Sequence, residues 1–323
     1  MLKIIEDIKN ARERKYEKKI LKEIEQNVND DVEEKKIISL ENCLNEFVST
    51  LNYKEAIEYK QNRTSKRNII LGAIAGDIIG SRWEFSCVGS DYEFDLLSKR
   101  NYFTDDTVMT IATLETVLND DDEYAKNYKK WGKKYITTGF GIRMYDWINS
   151  DSLQPYGSYG NGSAMRISPC ILGERIEKVV SNAYYSSICT HDHYEGIKGA
   201  IVTAICIWIA WNYEKKCAIK MITEYMIHMY DEKYANNFKK SSNEMSHFGS
   251  ACQKTIPLAV KYVVESKNYN EFCRKVIENG GDTDTICAIG GPIAAALFGF
   301  PYLEEDIYQY LDSDFISILK KIN

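Results

Sequence analysis

The segment Gly72-Ala73-Ile74-Ala75-Gly76-Asp77-Ile78-Ile79-Gly80-Ser81 places small residues among large aliphatic ones. A helix with small side chains lets a neighbouring helix approach closely, so we expect this segment to be a tightly packed core helix. Asp77 is an acid in an apolar setting, and a buried carboxylate needs a partner. Glu84 follows just beyond Arg82-Trp83. We expect it to project from the carboxyl end of this helix.

Outward from this segment, the pattern is one of helices joined by glycine-rich loops. Helix-like periodicity covers residues 69–81, 106–118, 122–136, 195–213, 217–229, 250–265, 270–279 and 285–298. Alternating strand patterns are scarce, and no repeat of the solenoid kind is present. The sequence therefore predicts an all-α domain whose chemistry lies in its loops.

Two short acidic motifs precede two of these helices. The first is Phe103-Thr104-Asp105-Asp106-Thr107, and the second is Gly280-Gly281-Asp282-Thr283-Asp284-Thr285. Carboxylates at this density repel one another unless cations lie between them, and Mg²⁺, Mn²⁺ and Ca²⁺ prefer oxygen ligands. If the fold brings the motifs together, their oxygens can hold a pair of divalent ions. This arrangement predicts a metal-dependent hydrolase.

Helix capping is the alternative interpretation of each motif. Thr104 and Asp282 are favourable N-cap residues, and an acid in a first helical turn interacts well with the helix dipole. One cap needs only one side-chain oxygen, however, so capping does not account for two glycines followed by Asp-Thr-Asp-Thr. Taken together, the motifs favour metal chemistry.

Composition excludes several other classes. The net charge of −6 gives no basic face for nucleic acid. The longest apolar run, at 200–211, is too short to span a membrane, and the N-terminus lacks the apolar core of a signal peptide. The nine cysteines include no C-x-x-C pair. We therefore expect reduced thiols and a cytoplasmic protein.

Residues 1–66 form a region of different composition. They contain no glycine or proline, and fourteen basic residues balance fourteen acidic ones. Apolar residues recur at helical spacing, so we predict a charged helical N-terminal extension followed by a catalytic domain over 67–323. The extension is either a solvated helical arm or a surface that binds a partner.

Three loops are further candidates for ligand binding. Glycines in Gly157-Ser158-Tyr159-Gly160-Asn161-Gly162 permit positive φ and let backbone amides face an anion, although a simple turn is the alternative. In Thr190-His191-Asp192-His193, we expect His191 to bind a ligand and a neighbour to orient the loop, because no other spacing supports zinc. Residues 135–143 are either a cover for the ligand or a plain connection between helices.

The ordered set of these motifs resembles the ADP-ribosylglycohydrolase family. The resemblance rests on G-A-I-A-G-D-I-I-G-S-R-W-E-F at 72–85, F-T-D-D-T at 103–107, S-Y-G-N-G-S-A-M-R at 158–166, T-H-D-H at 190–193 and G-G-D-T-D-T at 280–285. It extends from about residue 68 to the end of the chain and leaves the extension outside.

The resemblance implies an all-α fold with two Mg²⁺ ions, for which Mn²⁺ is a possible substitute, in a cleft that takes ADP-ribose. The metal ligands that it implies are Thr104, Asp105, Asp106, Asp282, Asp284 and Thr285. Glu84 and Asp282 are the implied catalytic carboxylates. The implied substrate-binding residues are Ser158, Tyr159, Gly160, Asn161, Gly162 and His191.

The expected activity is removal of ADP-ribose from modified protein side chains, with arginine as the preferred linkage. One alternative is an immunity or binding protein whose extension neutralises an ADP-ribosylating toxin or another partner, with hydrolysis secondary. Another is a metal phosphoesterase that would release AMP instead of ADP-ribose. No nucleic-acid or membrane partner is expected.

Overall fold

The structure is a computed structural model that describes residues 59–86, 88, 92–230 and 250–322. Its α-helices are α1 (Lys66–Ser81), α2 (Asp105–Asn119), α3 (Tyr124–Lys134), α4 (Ile142–Asn149), α5 (Gly162–Met165), α6 (Ile176–Ile188), α7 (Tyr194–Asn212), α8 (Lys215–Met229), α9 (Cys252–Val264), α10 (Tyr269–Asn279), α11 (Thr283–Phe298), α12 (Glu304–Tyr308) and α13 (Ser313–Leu319). A 3₁₀ helix spans Ser168–Gly173.

The all-α prediction is confirmed. Within the described ranges there is no β-sheet, and extended pairing is limited to the isolated bridges Tyr59–Tyr213 and Gly160–Ala251. The second bridge joins the glycine-rich loop to the start of α9. One hydrophobic core runs through the helices, so the loops at their ends are held by a common scaffold.

Helices α1 and α11 form the centre of this scaffold, and glycine sets their separation. A Cβ atom on Gly76 would lie 2.2 Å from the Cys287 carbonyl oxygen, and one on Gly80 would lie 2.4 Å from the Thr283 carbonyl oxygen. Real side chains do not tolerate such distances, so the two backbones are in direct contact. The predicted close packing of α1 is confirmed.

All eight predicted helices are present, with ends that differ by a few residues. Helices α4, α5, α6, α12 and α13 and the 3₁₀ segment were not predicted. Helix α6 carries apolar residues at Ile176, Val179, Val180 and Ala183, which is helical spacing. Interspersed serine, asparagine and tyrosine residues weaken this signal.

Helix α7 is long and apolar enough, by length and composition alone, to cross a membrane. It is longer than the apolar run at 200–211, but 89% of its most apolar window is buried inside the protein. Burial to this degree is the property of a core helix. In the described part of the chain, the cysteines are all free thiols.

The N-terminal extension lies mostly outside the described residues, so its predicted helices over 1–58 stay a prediction. The described residues from Tyr59 onward contact the helical body. The Lys60 amide donates to the Asn212 carbonyl oxygen at 2.9 Å, and the Trp211 indole donates to the Thr64 carbonyl oxygen at 2.9 Å. The proposed division after residue 66 therefore follows a short segment that is already attached to α7.

Candidate active site

The two acidic motifs meet at the amino ends of α2 and α11. Thr104 is the N-cap of α2, and Asp282 stands in the N-cap position of α11. The hydroxyl of Thr285 donates to Asp106 Oδ2 at 3.3 Å. Thr285 and Asp106 are separated by 179 positions in the chain. The two motifs are therefore distant in sequence but share a hydrogen bond.

Five acids form two overlapping groups at this junction. Carboxylate oxygens of Asp77, Asp106 and Asp284 lie within 4.8 Å of one another, and so do those of Glu84, Asp282 and Asp284. Asp284 belongs to both groups. The first group is buried, whereas Glu84 and Asp282 in the second are partly exposed. The site therefore has a buried floor and an open side.

Asp77 is part of this cluster, although the sequence analysis assigned it no role in the site. Its carboxylate is fully buried and accepts from both motif threonines. The Thr104 amide and hydroxyl donate to it at 2.9 and 2.7 Å, and the Thr107 amide donates at 3.0 Å. Asp77 thereby fixes the start of α2 against α1. The signal in the sequence was an acid in an apolar segment.

Burial and mutual repulsion raise the pKa values of these acids. Burial, followed by the charges of Asp77 and Asp282, raises the pKa of Asp105 to about 8. Burial and neighbouring carboxylates hold the pKa values of Asp106 and Asp284 well above their usual range. Asp106 Oδ1 is buried and has no hydrogen-bond partner in the described part of the chain.

These features fit divalent cations. The donors are oxygens only, one buried carboxylate oxygen lacks a partner, and the acids are crowded beyond what neighbouring hydrogen bonds compensate. A hard cation would satisfy the free oxygen and remove the repulsion. In the described residues, the groups with metal-ligand spacing contain carboxylates alone, with neither histidine nor cysteine.

Glu84 lies in a turn that is attached to the second motif. The amide of Phe85, whose φ is +54°, donates to the Gly281 carbonyl oxygen at 2.7 Å. The Tyr102 hydroxyl donates to the Ser81 carbonyl oxygen at 3.2 Å on the other side of the turn. Partial burial and then the charge of Asp282 raise the pKa of Glu84. The expected projection of Glu84 from the end of α1 towards the acidic motifs is observed.

Asp282 occupies a cap position without capping. Its side chain accepts no hydrogen bond from the first turn of α11. Instead, Asn161 Nδ2 donates to Asp282 Oδ2 at 2.7 Å and to the Thr255 hydroxyl at 3.2 Å. Capping therefore does not explain this residue, and Asn161 links the glycine-rich loop to the carboxylates.

The glycine-rich loop is held by its own backbone amides. The Gly157 amide donates to Asp192 Oδ1 at 2.7 Å, the Gly160 amide donates to the Ser158 hydroxyl at 3.2 Å, and the Asn161 amide donates to the Ser250 carbonyl oxygen at 2.6 Å. These three amides are engaged within the protein. Only Gly157 among the loop glycines has a positive φ, of 64°.

The other loop glycines are needed for space. A Cβ atom on Gly162 would lie 3.2 Å from His191 Nε2, and one on Gly160 would lie 3.8 Å from it. Tyr159 is exposed, and its ring centre lies 5.2 Å from that of His193. The loop therefore sits against the His191 segment with an aromatic side chain at its rim.

His191 is buried between this loop and the end of α6. Burial, followed by the positive charges of Arg166 and Arg143, holds its pKa well below the usual range. Its neighbours orient the segment as expected, since Asp192 accepts from Gly157 and His193 caps α7 through the Glu195 amide at 3.1 Å.

The 135–143 loop joins α3 to α4 and also contacts the first motif. The Asp105 amide donates to the Thr138 carbonyl oxygen at 2.9 Å, and a Cβ atom on Gly139 would lie 3.5 Å from Asp105 Oδ1. It is thus a helix connection that lies beside the acidic cluster.

Comparison with known proteins agrees with this fold. A model of the ADP-ribosylglycohydrolase family matches residues 61–321. The chain belongs to the ADP-ribosylglycohydrolase family. Membership indicates a hydrolase of ADP-ribose linkages.

Relatives of this chain include proteins from a virus and from animals. The putative ADP-ribosyl glycohydrolase L543 of Acanthamoeba polyphaga mimivirus is 25% identical over 288 residues, which cover 72% of this chain and 86% of that protein. ADP-ribosylhydrolase ARH3 of Homo sapiens is 24% identical over 322 residues, covering 74% and 87%. A solved ADP-ribosylglycohydrolase-related protein complex superposes with a TM-score of 0.62 at 19% identity, over 79% of this chain and 95% of that one, which shows the shared fold.

Proposed function

We propose that this protein is a Mg²⁺-dependent hydrolase that removes ADP-ribose from modified protein side chains, with arginine as the preferred linkage. The observation that carries the proposal is the pair of overlapping carboxylate groups, which share Asp284 and meet at the amino ends of two helices. A generic helix cap would not bring five acids together.

Two Mg²⁺ ions, or Mn²⁺ in their place, would be held by Thr104, Asp105, Asp106, Asp282, Asp284 and Thr285. The buried Asp77, in the first group, would supply a further carboxylate to the same ions. When bound, such ions supply positive charge that binds sugar hydroxyls and offsets the repulsion among the acids.

Glu84 and Asp282 are the proposed catalytic carboxylates. They form the open side of the cluster, where a ribose carbon can approach. One of them accepts a proton from the water that attacks the ribose carbon, the bond from that carbon to the acceptor breaks, and the proton passes to the leaving acceptor. The carboxylates stabilise the oxocarbenium-like transition state expected of glycoside hydrolysis.

The glycine-rich loop and His191 form the proposed binding site for the rest of ADP-ribose. Asn161 contacts both Asp282 and α9, so a ligand on Ser158, Tyr159, Gly160, Asn161 and Gly162 would lie next to the carboxylates. The released acceptor side chain would then leave past Glu84 and Asp282, which are partly exposed. Negative charge there favours a cationic guanidinium over a neutral serine, which supports the arginine preference.

A second role rests on the extension. The family match begins at residue 61 and leaves most of residues 1–66 outside it. An extension that neutralises an ADP-ribosylating toxin or another partner would make the protein an immunity or binding protein with secondary hydrolysis. Deletion of residues 1–58 should then abolish partner binding while hydrolysis continues. We propose a cytoplasmic location for either role.

The test is turnover of arginine-ADP-ribosylated protein, with the released nucleotide identified by mass. We expect free ADP-ribose in Mg²⁺, none after chelation, and slower release from serine-linked substrate. Glu224→Ala, which removes an exposed acid on α8, should behave as wild type. AMP as product would identify a phosphoesterase instead, and absence of any release would favour the binding role.

A further inference from the structure

Arg166 is a buried cation of the S-A-M-R motif for which the proposed chemistry has no use. Its side chain is 1% exposed. One terminal nitrogen donates to the Ser186 carbonyl oxygen and to the Thr190 hydroxyl, both at 2.7 Å, and the guanidinium carbon lies 4.1 Å from the centre of the Tyr128 ring. None of these partners is acidic. Burial of a charge on such partners is costly and calls for a role.

The contact with Thr190 determines where the hydroxyl proton goes. A guanidinium only donates hydrogen bonds, so the Thr190 oxygen must accept from Arg166. The single proton of that hydroxyl remains to be donated. His191 Nδ1 lies 2.8 Å away. The adjacent Cys189 sulfur is also within reach of this hydroxyl, but sulfur is a weak acceptor, so the imidazole nitrogen is the stronger acceptor for the proton.

His191 is therefore constrained at one nitrogen. A ring that accepts at Nδ1 and stays neutral must carry its own proton on Nε2. Burial and the charge of Arg166 lower the pKa of His191 well below its usual range, which keeps the ring neutral. The Nε2–H group faces the glycine-rich loop, 3.2 Å from the position of a Cβ on Gly162.

We propose that Arg166 and Thr190 are positioning residues that hold His191 in its Nε2–H form, so that it donates a hydrogen bond to an oxygen of the ligand in the glycine-rich loop. The hydrogen bond from His191 to a ligand, which we call the ligand half of this inference, rests on the proposed function. The assignment of the Nε2–H form, the tautomer half, does not, because it concerns the protein without ligand.

The tautomer is measured by long-range ¹H–¹⁵N correlation NMR on protein with ¹⁵N-labelled histidine. The chain has four histidines, so the His191 signals can be assigned with a His191→Gln variant. We expect an unprotonated Nδ1 and a protonated Nε2 in the wild type. A protonated Nδ1 in the wild type would overturn the inference without any variant.

Two substitutions at Thr190 separate the hydroxyl from the shape of the side chain. Thr190→Ser keeps the hydroxyl and should preserve the wild-type pattern. Thr190→Val keeps the branched shape and removes the donor, so a mixture of tautomers is expected. A wild-type pattern in folded Thr190→Val, with folding checked by circular dichroism, would show that the hydroxyl does not fix the ring.

ADP-ribose is the probe for the ligand half, with affinity measured by titration calorimetry. A roughly equal mixture of tautomers halves the binding-competent fraction, so binding should weaken by about twofold in Thr190→Val, and Thr190→Ser should bind as wild type does. Equal affinity of all three would overturn the donor role. Failure of every form, including wild type, to bind ADP-ribose would contradict the proposed function while leaving the tautomer assignment intact.

Discussion

The two acidic motifs both stand at helix amino ends, yet they use their side chains differently. In the first, the Thr104 hydroxyl accepts from the Asp106 amide at 3.3 Å and also donates to Asp77. In the second, Asp282 makes no capping bond and accepts from Asn161 instead. The first motif therefore both stabilises the start of its helix and forms part of the acidic cluster. The second leaves its leading carboxylate available for chemistry.

The first turn of helix α11 is stabilised by contacts other than a cap from Asp282. The Thr285 amide donates to Asp284 Oδ1 at 2.9 Å, and the Thr283 hydroxyl donates to the Gly80 carbonyl oxygen at 2.8 Å. An acid within the first turn also interacts favourably with the helix dipole. Damage to the first motif should therefore reduce stability, and damage to Asp282 should reduce activity.

The largest expected effect is the loss of turnover in Asp282→Ala. Removal of this proposed catalytic carboxylate should lower kcat by at least about 100-fold. Its unfolding temperature without metal should be unchanged or higher, because one repelling charge is gone. Thr104→Ala should instead lose about 1 kcal/mol of unfolding free energy along with its cap.

Thermal unfolding in a chelator and kcat in Mg²⁺, measured on both variants, check this contrast. A larger loss of stability in Asp282→Ala than in Thr104→Ala would show that Asp282 serves the helix after all. Unchanged turnover of Asp282→Ala at limiting Mg²⁺ would remove it from the proposed catalytic pair.

Gly80→Ala, a substitution on α1 where it packs against the second motif, should have the next largest effect on stability and turnover. A Cβ atom added in Gly80→Ala would lie 2.5 Å from the Asp284 Cα atom. Overpacking of this kind costs about 1–3 kcal/mol and should displace Asp284, so stability and kcat both fall. Gly141→Ala is the matched control, because its Cβ would meet nothing within 4 Å and its φ is −57°. Equal behaviour of the two variants in melting and turnover would contradict the direct backbone contact.

The smallest expected effect is a dependence of metal-free stability on pH. Folding raises the pKa of Asp105 from 3.8 to about 8 and also raises those of its neighbours. Between these values the folded state binds more protons than the unfolded state, so stability falls as pH rises. We expect the melting temperature in chelator to drop by a few degrees from pH 5 to pH 8.

Saturating Mg²⁺ should abolish this decline, because the cations favour the charged carboxylates. Melting curves at matched ionic strength, with Mg²⁺ replaced by a monovalent salt, provide the control. A melting temperature in chelator that rises over the same interval would contradict the raised pKa values.

Much of the fold was predictable because core helices repeat apolar residues at a fixed spacing. Helices α1, α7 and α11 are apolar along most of their length, and each was predicted. Helix α4 was not, since only Trp147 and Ile148 of its eight residues are buried. A helix with so little buried surface has little periodic signal for sequence analysis to detect.

The site was predictable as a set of motifs but not as a set of contacts. Metal-ligating residue types cluster locally, so Asp106, Asp282 and Asp284 stood out in the sequence. The place of Asp77 beneath them depends on how α1 meets α2, and the Asn161–Asp282 bond joins residues 121 positions apart. Contacts of this kind follow from packing and leave no local pattern.

The direct backbone contact between α1 and α11 has a consequence for how this protein can diverge. Glu84 follows one of these helices, and Asp282 and Asp284 stand at the start of the other. No side chain separates the helices at Gly76 and Gly80, so exchanging one side chain for another cannot adjust the spacing of the acids in small steps. Loops beside the acidic cluster, such as 135–143, carry no such restriction. Over many generations, mutation can therefore change the loops around the acidic cluster while the distances among its carboxylates stay constant.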